Sequence, residues 1–145
     1  MSITESTKPI PMPDDESRPF FEGAKRHELM ILRCRACDHP MWPASHAGSL
    51  PVNPRCHKCF AAELDWAVAT GKATLYSFVV MHQPYPGFEN DVPYNIALVE
   101  LEEGVRCLTN VVGCDNSDLR IGMPLEVVFE DLSDEVSLPK FRSAT

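Results

Sequence analysis

The sequence predicts a mainly β protein made of a short N-terminal helix, a cysteine-held ribbon and a small C-terminal barrel. Three observations predict it. Thirteen prolines against seven glycines favour loops and short strands, because proline is excluded from helix interiors and from central sheet ladders. Four cysteines fall into two matched Cys-x-x-Cys pairs, Cys34/Cys37 and Cys56/Cys59. From Leu64 onward, apolar residues recur in short strand-like runs divided by turn residues. At 145 residues the chain holds one ordinary domain or two very small ones sharing a core.

Taken in order, residues 1–16 combine Pro, Ser, Thr and acid without an apolar face, and are expected to form a flexible arm. They lack the basic-then-apolar order of a secretory signal and are too acidic for a transit peptide, so a cytoplasmic location is expected. No run of about 18 apolar residues is present to span a membrane. Residues 17–63 are read as helix plus ribbon. Ser17–Glu28 offers a Ser cap, Pro19 near the first turn, and Phe20, Phe21 and Ala24 at helical intervals. The pair Phe20–Phe21 is either internal core or a docking surface for another protein. Leu29–Arg33 reads as the strand that delivers the first Cys-x-x-Cys turn.

Residues 64–145 read as the barrel. Its expected strands are Leu64–Ala69, Ala73–His82, Asn95–Leu101, Val105–Val112, Leu125–Asp131 and Val136–Arg142, separated by turn sequences such as Thr70-Gly71 and Glu102-Glu103-Gly104. Five or six short strands are too few for an immunoglobulin-type sandwich. They suit a small closed barrel, for which the five-stranded OB-fold is the natural candidate.

The cysteine pairs are separated by eighteen residues, inside the range of about 15–20 for a four-cysteine zinc site. Each Cys-x-x-Cys turn points two sulfurs at one ion, and two turns close a tetrahedron. With Cys34, Cys37, Cys56 and Cys59 filling every position, one Zn2+ per chain is expected to be structural. Disulfides, an iron site or a site that has lost its metal are the alternatives. His39, His46 and His57 lie close by but are surplus to a complete thiolate shell. Cys107 and Cys114 read as buried small hydrophobes.

The formal net charge of −8 argues against a polyanion binder held by overall charge, and its distribution is uneven. Residues 18–59 carry seven cations against three carboxylates, and residues 60–145 five cations against fourteen carboxylates. The cations Arg33, Arg35, Arg55 and Lys58 around the ribbon either receive a phosphate-bearing ligand or simply balance thiolates whose summed charge exceeds that of the ion. An OB barrel binding single-stranded nucleic acid is the alternative functional class, but so acidic a barrel lacks the cations that counterion release requires. The sequence contains no GxSxG, HExxH, Walker loop or GxGxxG, and no catalytic residue is assigned. His82, before the loop Gln83–Phe88, is either a ligand contact or a surface strand-end histidine.

Several motifs occur together and in order. They are Phe20-Phe21-Glu22-Gly23, Leu32-Arg33-Cys34-Arg35-Ala36-Cys37, Pro54-x-Cys56-x-x-Cys59, Thr70-Gly71-Lys72-Ala73-Thr74-Leu75-Tyr76-Ser77, Tyr94-x-x-Ala97-Leu98-Val99-Glu100-Leu101, Leu108-Thr109-Asn110-Val111-Val112-Gly113-Cys114, Ile121-Gly122-Met123-Pro124-Leu125 and Leu138-Pro139-Lys140-Phe141-Arg142. This pattern, over roughly residues 18–142, resembles the family catalogued as domain of unknown function 35, a rubredoxin-like zinc ribbon followed by an OB-fold. The long segment Asp38–Arg55 departs from that pattern as an added loop. The resemblance implies an accessory subunit that assembles with a thiolase-like protein into a hetero-oligomer. Such complexes act on CoA thioesters by thiolysis, acyl transfer or aldol-type cleavage, and the partner holds the catalytic groups. It further implies acyl-CoA as a shared ligand, with Arg33, Arg35, Arg55, Lys58, His82, Tyr85 and Phe88 as candidate contacts.

Overall fold

The computed structural model describes residues 9–15, 17–43 and 55–144. Most of the expected arm (1–8 and 16), His46, Pro54 and the centre of the inter-knuckle loop (44–54) lie outside the described residues. Helix α1 covers Arg18–Lys25. Strands β1 (Met30–Cys34), β2 (Pro40–Met41) and β3 (Leu64–Val68) form one sheet in the order β2-β1-β3. Strands β4 (Lys72–Met81), β5 (Tyr94–Leu101), β6 (Arg106–Thr109), β7 (Pro124–Asp131) and β8 (Ser137–Ser143) form a second sheet in the order β6-β5-β4-β7-β8. No helix among the described residues is long and apolar enough to cross a membrane.

Helix α1 is shorter at both ends than the expected Ser17–Glu28. Ser17 does not cap with its side chain. Its Oγ instead accepts the Asp14 N–H (3.0 Å), and its own N–H donates to Asp14 Oδ1 (2.7 Å). At the other end, His27 adopts φ +62° and its N–H donates to the Ala24 carbonyl while Glu28 N–H donates to that of Gly23. These two bonds make a Schellman ending with histidine where glycine is usual. Phe20 is buried and meets Phe21 and Trp42 edge-on, at 5.3 and 5.4 Å between centroids. Of the two readings of this aromatic pair, core is therefore the outcome for Phe20, and Phe21 stays partly exposed.

Leu64–Val68 belongs to the ribbon and not, as the pattern suggested, to the barrel. It pairs antiparallel with the whole of β1, from Met30↔Val68 to Cys34↔Leu64. A strand completing a ribbon and a strand starting a barrel carry the same alternation, so periodicity does not separate them. The chain crosses into the barrel at Gly71, whose φ of +84° suits glycine and whose Cβ position lies 2.6 Å from Val127 Cγ1. Gly71→Ala is expected to destabilise by about 1–3 kcal/mol, read as a lowered midpoint in urea unfolding.

The barrel sheet is curled, and its edges meet at one parallel bridge, Val111↔Phe141. A register shift between Leu75 and Ser77 places a bulge at Tyr76. The first half of β4 thus pairs with both β5 and β7, and the bulge sharpens the strand's bend. Strand β5 alternates half-buried and buried along its length, as a strand with one face on a core must.

A single buried cluster joins Phe20, Leu29 and Ile31 to Leu75, Val99, Leu125 and Phe141 of the barrel. Polar contacts reinforce the seam. Lys25 Nζ donates to the Ser133 carbonyl at 2.9 Å, His27 stacks on Phe129 at 5.1 Å, and His27 Nε2 lies 3.5 Å from Asp131 Oδ1. A second, smaller cluster of Leu32, Cys34, Met41 and Cys56 lies beneath the cysteine turns.

Candidate functional site

Each cysteine turn repeats the same local geometry. In the first, Cys34 N–H donates to the His39 carbonyl, Asp38 N–H to the Cys34 carbonyl and Cys37 N–H to Cys34 Sγ. In the second, Cys56 N–H donates to the Ala61 carbonyl, Phe60 N–H to the Cys56 carbonyl and Cys59 N–H to Cys56 Sγ. Both turns require a left-handed residue directly after the second cysteine. Asp38 (φ +64°) and Phe60 (φ +65°) occupy those positions, where glycine would be least strained.

The two turns face one another. Cys34 Sγ lies 3.5 Å from Cys59 Sγ, and Cys37 Sγ 3.6 Å from Cys56 Sγ. All four sulfurs lie within 4.8 Å of one another. A tetrahedron with Zn–S bonds of ~2.3 Å has edges of about 3.8 Å, so donor type and spacing both fit Zn2+. Cys34 and Cys56 are buried, whereas Cys37 and Cys59 face outward. Burial alone would raise the Cys56 thiol, but amide donors at Cys59 and Lys58 outweigh it and hold it down to about 6. Cys37 is pushed up to about 12: burial and hydrogen bonds with the other three thiols override the lowering effect of the His39 backbone. A metal-free shell therefore keeps protons that an ion must displace.

The cations around the ribbon brace the turns. Arg33 Nη1 donates to the Asp38 carbonyl (3.2 Å) and approaches its carboxylate (3.7 Å), and Arg55 Nη1 donates to the Phe60 carbonyl (3.1 Å). Both left-handed residues are thus held by an arginine. Arg35 grips Asp65 through Nε and Nη2, at 2.7 Å for the shortest contact, and so ties the first turn to β3. That hydrogen bond is the main reason the Arg35 guanidinium is raised and the Asp65 carboxyl lowered. Lys58 alone of the four has no side-chain partner among the described residues. Three of the four cations thus brace the ribbon, a role that neither reading of the cluster named.

The aromatic loop lies elsewhere. His82 and Tyr85 are exposed. Phe88 tilts against Tyr94 at 5.9 Å and lines a cavity of about 370 Å3 at the barrel mouth, together with Asn110, Cys114, Leu138 and Lys140. No residue of 18–68 contributes to its wall. The ribbon cations and the aromatic loop are therefore not brought into one site.

The cavity lining also holds residues to which the sequence assigns no role. Buried Asn95 accepts the Val111 N–H on Oδ1 (2.7 Å), and its Nδ2 donates to the Val111 carbonyl and to Asn116 Oδ1. Asn110 Nδ2 donates to the Asn95 carbonyl, and Lys140 Nζ to Asn110 Oδ1. Asparagine is depleted in strands, so two of them within strand-like runs were the available signal. Cys107 is buried and pushed up to about 12 by burial. Cys114 is half-buried and raised by burial and by Asp118 and Asp115.

Comparison with known proteins agrees with this architecture. Residues 21–47 match the model described as "ChsH2, rubredoxin-like zinc ribbon domain", and residues 66–130 match "ChsH2, C-terminal OB-fold domain". A solved structure titled "Ltp2-ChsH2(DUF35) aldolase" superposes with a TM-score of 0.75 at 36% identity, covering 93% of this chain and 99% of that one. A probable enoyl-CoA hydratase alpha subunit from Thermomonospora curvata is 37% identical over 97% of this chain, which spans only 41% of that relative's length. A DUF35 domain-containing scaffold protein from Methanocaldococcus jannaschii is 32% identical over 77% of this chain and 74% of its own length. With two facing cysteine turns and a curled five-stranded sheet on one continuous core, the chain belongs to the DUF35 family of zinc-ribbon and OB-fold proteins.

Proposed function

We propose that this chain is the zinc-ribbon/OB-fold accessory subunit of an enzyme complex acting on CoA thioesters. In this reading a thiolase-like partner supplies the catalytic groups for β-ketoacyl-CoA thiolysis, acyl transfer or aldol-type C–C cleavage. The observation that carries the reading is the match to the aldolase-associated DUF35 chain over 99% of that chain's length. The four thiolates hold a structural Zn2+ that fixes the two turns, and with no open coordination position the ion takes no part in the chemistry. Thiolate ligands persist in a reducing compartment, which accords with a cytoplasmic complex.

The chain contributes to the acyl-CoA site jointly with its partner. Lys58, Tyr85 and His82 remain candidate contacts because their side chains are exposed, and Phe88 because it walls the barrel-mouth cavity. Arg33, Arg35 and Arg55 are engaged in the ribbon and would reach CoA only with their outer N–H groups. Co-expression with the thiolase-like protein of the same organism tests the reading. A stable complex on size exclusion is expected, with turnover of an acyl-CoA lost at least a hundredfold when either chain is omitted. Independent migration of the two chains, or full turnover by the partner alone, would overturn it.

A further inference from the structure

The barrel sheet has an outer side as well as a core side. On β5, residues 95, 97, 99 and 101 are buried, so Tyr94, Ile96, Leu98 and Glu100 point outward. Register places Leu108 beside Leu98, Val79 beside Ile96, and Met81 beside Tyr94. Leu108 is 69% exposed, Val79 58% and Tyr76 46%, well beyond a scattered surface aliphatic. The charged pair on this face is already neutralised: Arg106 Nε meets Glu100 Oε2 at 3.0 Å, and its guanidinium lies 3.8 Å from the Tyr76 ring centroid. Three strands of this length make a face of about 14 by 26 Å, roughly half of one partner's share in a standard interface.

The surroundings of the face decide what covers it. Exposed Glu102 stands at the β5–β6 turn and exposed Glu89 in the β4–β5 loop, with Lys72 the cation at the first end. The whole section 60–145 carries fourteen carboxylates against five cations. A second copy would bring the same acidic rim and be repelled. A nucleic-acid strand would find Arg106 already paired and no row of cations for its phosphates.

We propose that the outer face of β4–β5–β6 is the docking surface for a protein partner that presents an apolar patch with a basic rim. The inference rests on the reading above, and takes that partner to be the enzyme subunit of the complex. Apolar contact supplies the centre of the interface and charge complementarity its rim.

The test uses the full chain and the thiolase-like subunit that restores turnover. Leu108→Glu and Val79→Glu are each expected to raise Kd by at least about thirtyfold with an unchanged thermal midpoint. Ile121→Glu, at an exposed position outside the strands of this face, should stay within about twofold. Wild-type affinity should also fall as salt rises, because screening weakens the rim. Leu108→Gln serves if the glutamate variant does not fold. Wild-type affinity in both face variants would overturn the assignment while leaving the complex intact. A dimer of the chain alone that Leu108→Glu dissolves would give the face to a second copy and also overturn it. Failure of the wild-type chain to bind any such subunit would remove the proposed function, and this inference with it.

Discussion

Cys56→Ser is expected to abolish metal binding and to unfold the ribbon. Cys56 is buried beneath both turns, accepts amide N–H groups from Lys58 and Cys59, and lies 3.6 Å from Cys37 Sγ across the shell. A serine hydroxyl keeps the volume but does not supply the thiolate. Structural zinc sites contribute about 10–16 kcal/mol of apparent binding free energy at neutral pH, comparable to the whole stability of a domain. Metal analysis of the purified wild-type chain should find one zinc per chain, and the variant almost none. Circular dichroism of the variant should show lost β signal, and the wild type should follow it when treated with a strong chelator. A variant that stays folded and zinc-loaded would contradict a four-thiolate structural site.

Phe141→Ala is expected to be the most damaging single change outside the ribbon. The Phe141 side chain is fully buried in the cluster shared by helix and barrel. Its backbone makes the closing bridge: Phe141 N–H donates to the Asn110 carbonyl, and its own carbonyl accepts the Val112 N–H. Truncating a buried phenylalanine costs about 3–5 kcal/mol in transfer and cavity terms, a large share of the 5–15 kcal/mol typical of a domain. Urea unfolding should show the midpoint falling with the slope retained. A loss below about 1 kcal/mol would mean that the core rearranges to fill the space.

Much of this was legible in the residues. The paired Cys-x-x-Cys spacing picked out the four thiols that the fold brings within 4.8 Å of one another, because tetrahedral thiolate chemistry leaves few other uses for that pattern. Strands of the barrel sheet were found to within a residue or two where buried and exposed positions alternate, as in β5. The exception is β6, where the strand-like pattern extends from Val105 to Val112 while the ladder ends at Thr109. Beyond it the chain leaves the sheet edge to reach Phe141. Leu64–Ala69 is expected in the barrel, yet its strand Leu64–Val68 pairs in the ribbon sheet, because alternation reports one buried face and is silent about which partner buries it. The partners of the arginines around the ribbon were not legible, because composition counts charge but not the carbonyls and carboxylate that engage it. The asparagines and lysine that line the cavity come from segments far apart in sequence, β5, the residue after β6 and β8, meeting at the barrel mouth. No local pattern encodes that meeting.

The continuous core between helix α1 and the barrel also bears on association. Two modules joined by a loose tether approach a partner separately, and the second contact benefits only from an effective concentration in the millimolar range. Here Phe20, Ile31, Leu125 and Phe141 lie in one cluster, so ribbon and barrel are packed as one body rather than joined by a tether. Translational and rotational freedom is surrendered once for both surfaces, and every contact added at one end counts in full toward affinity won at the other.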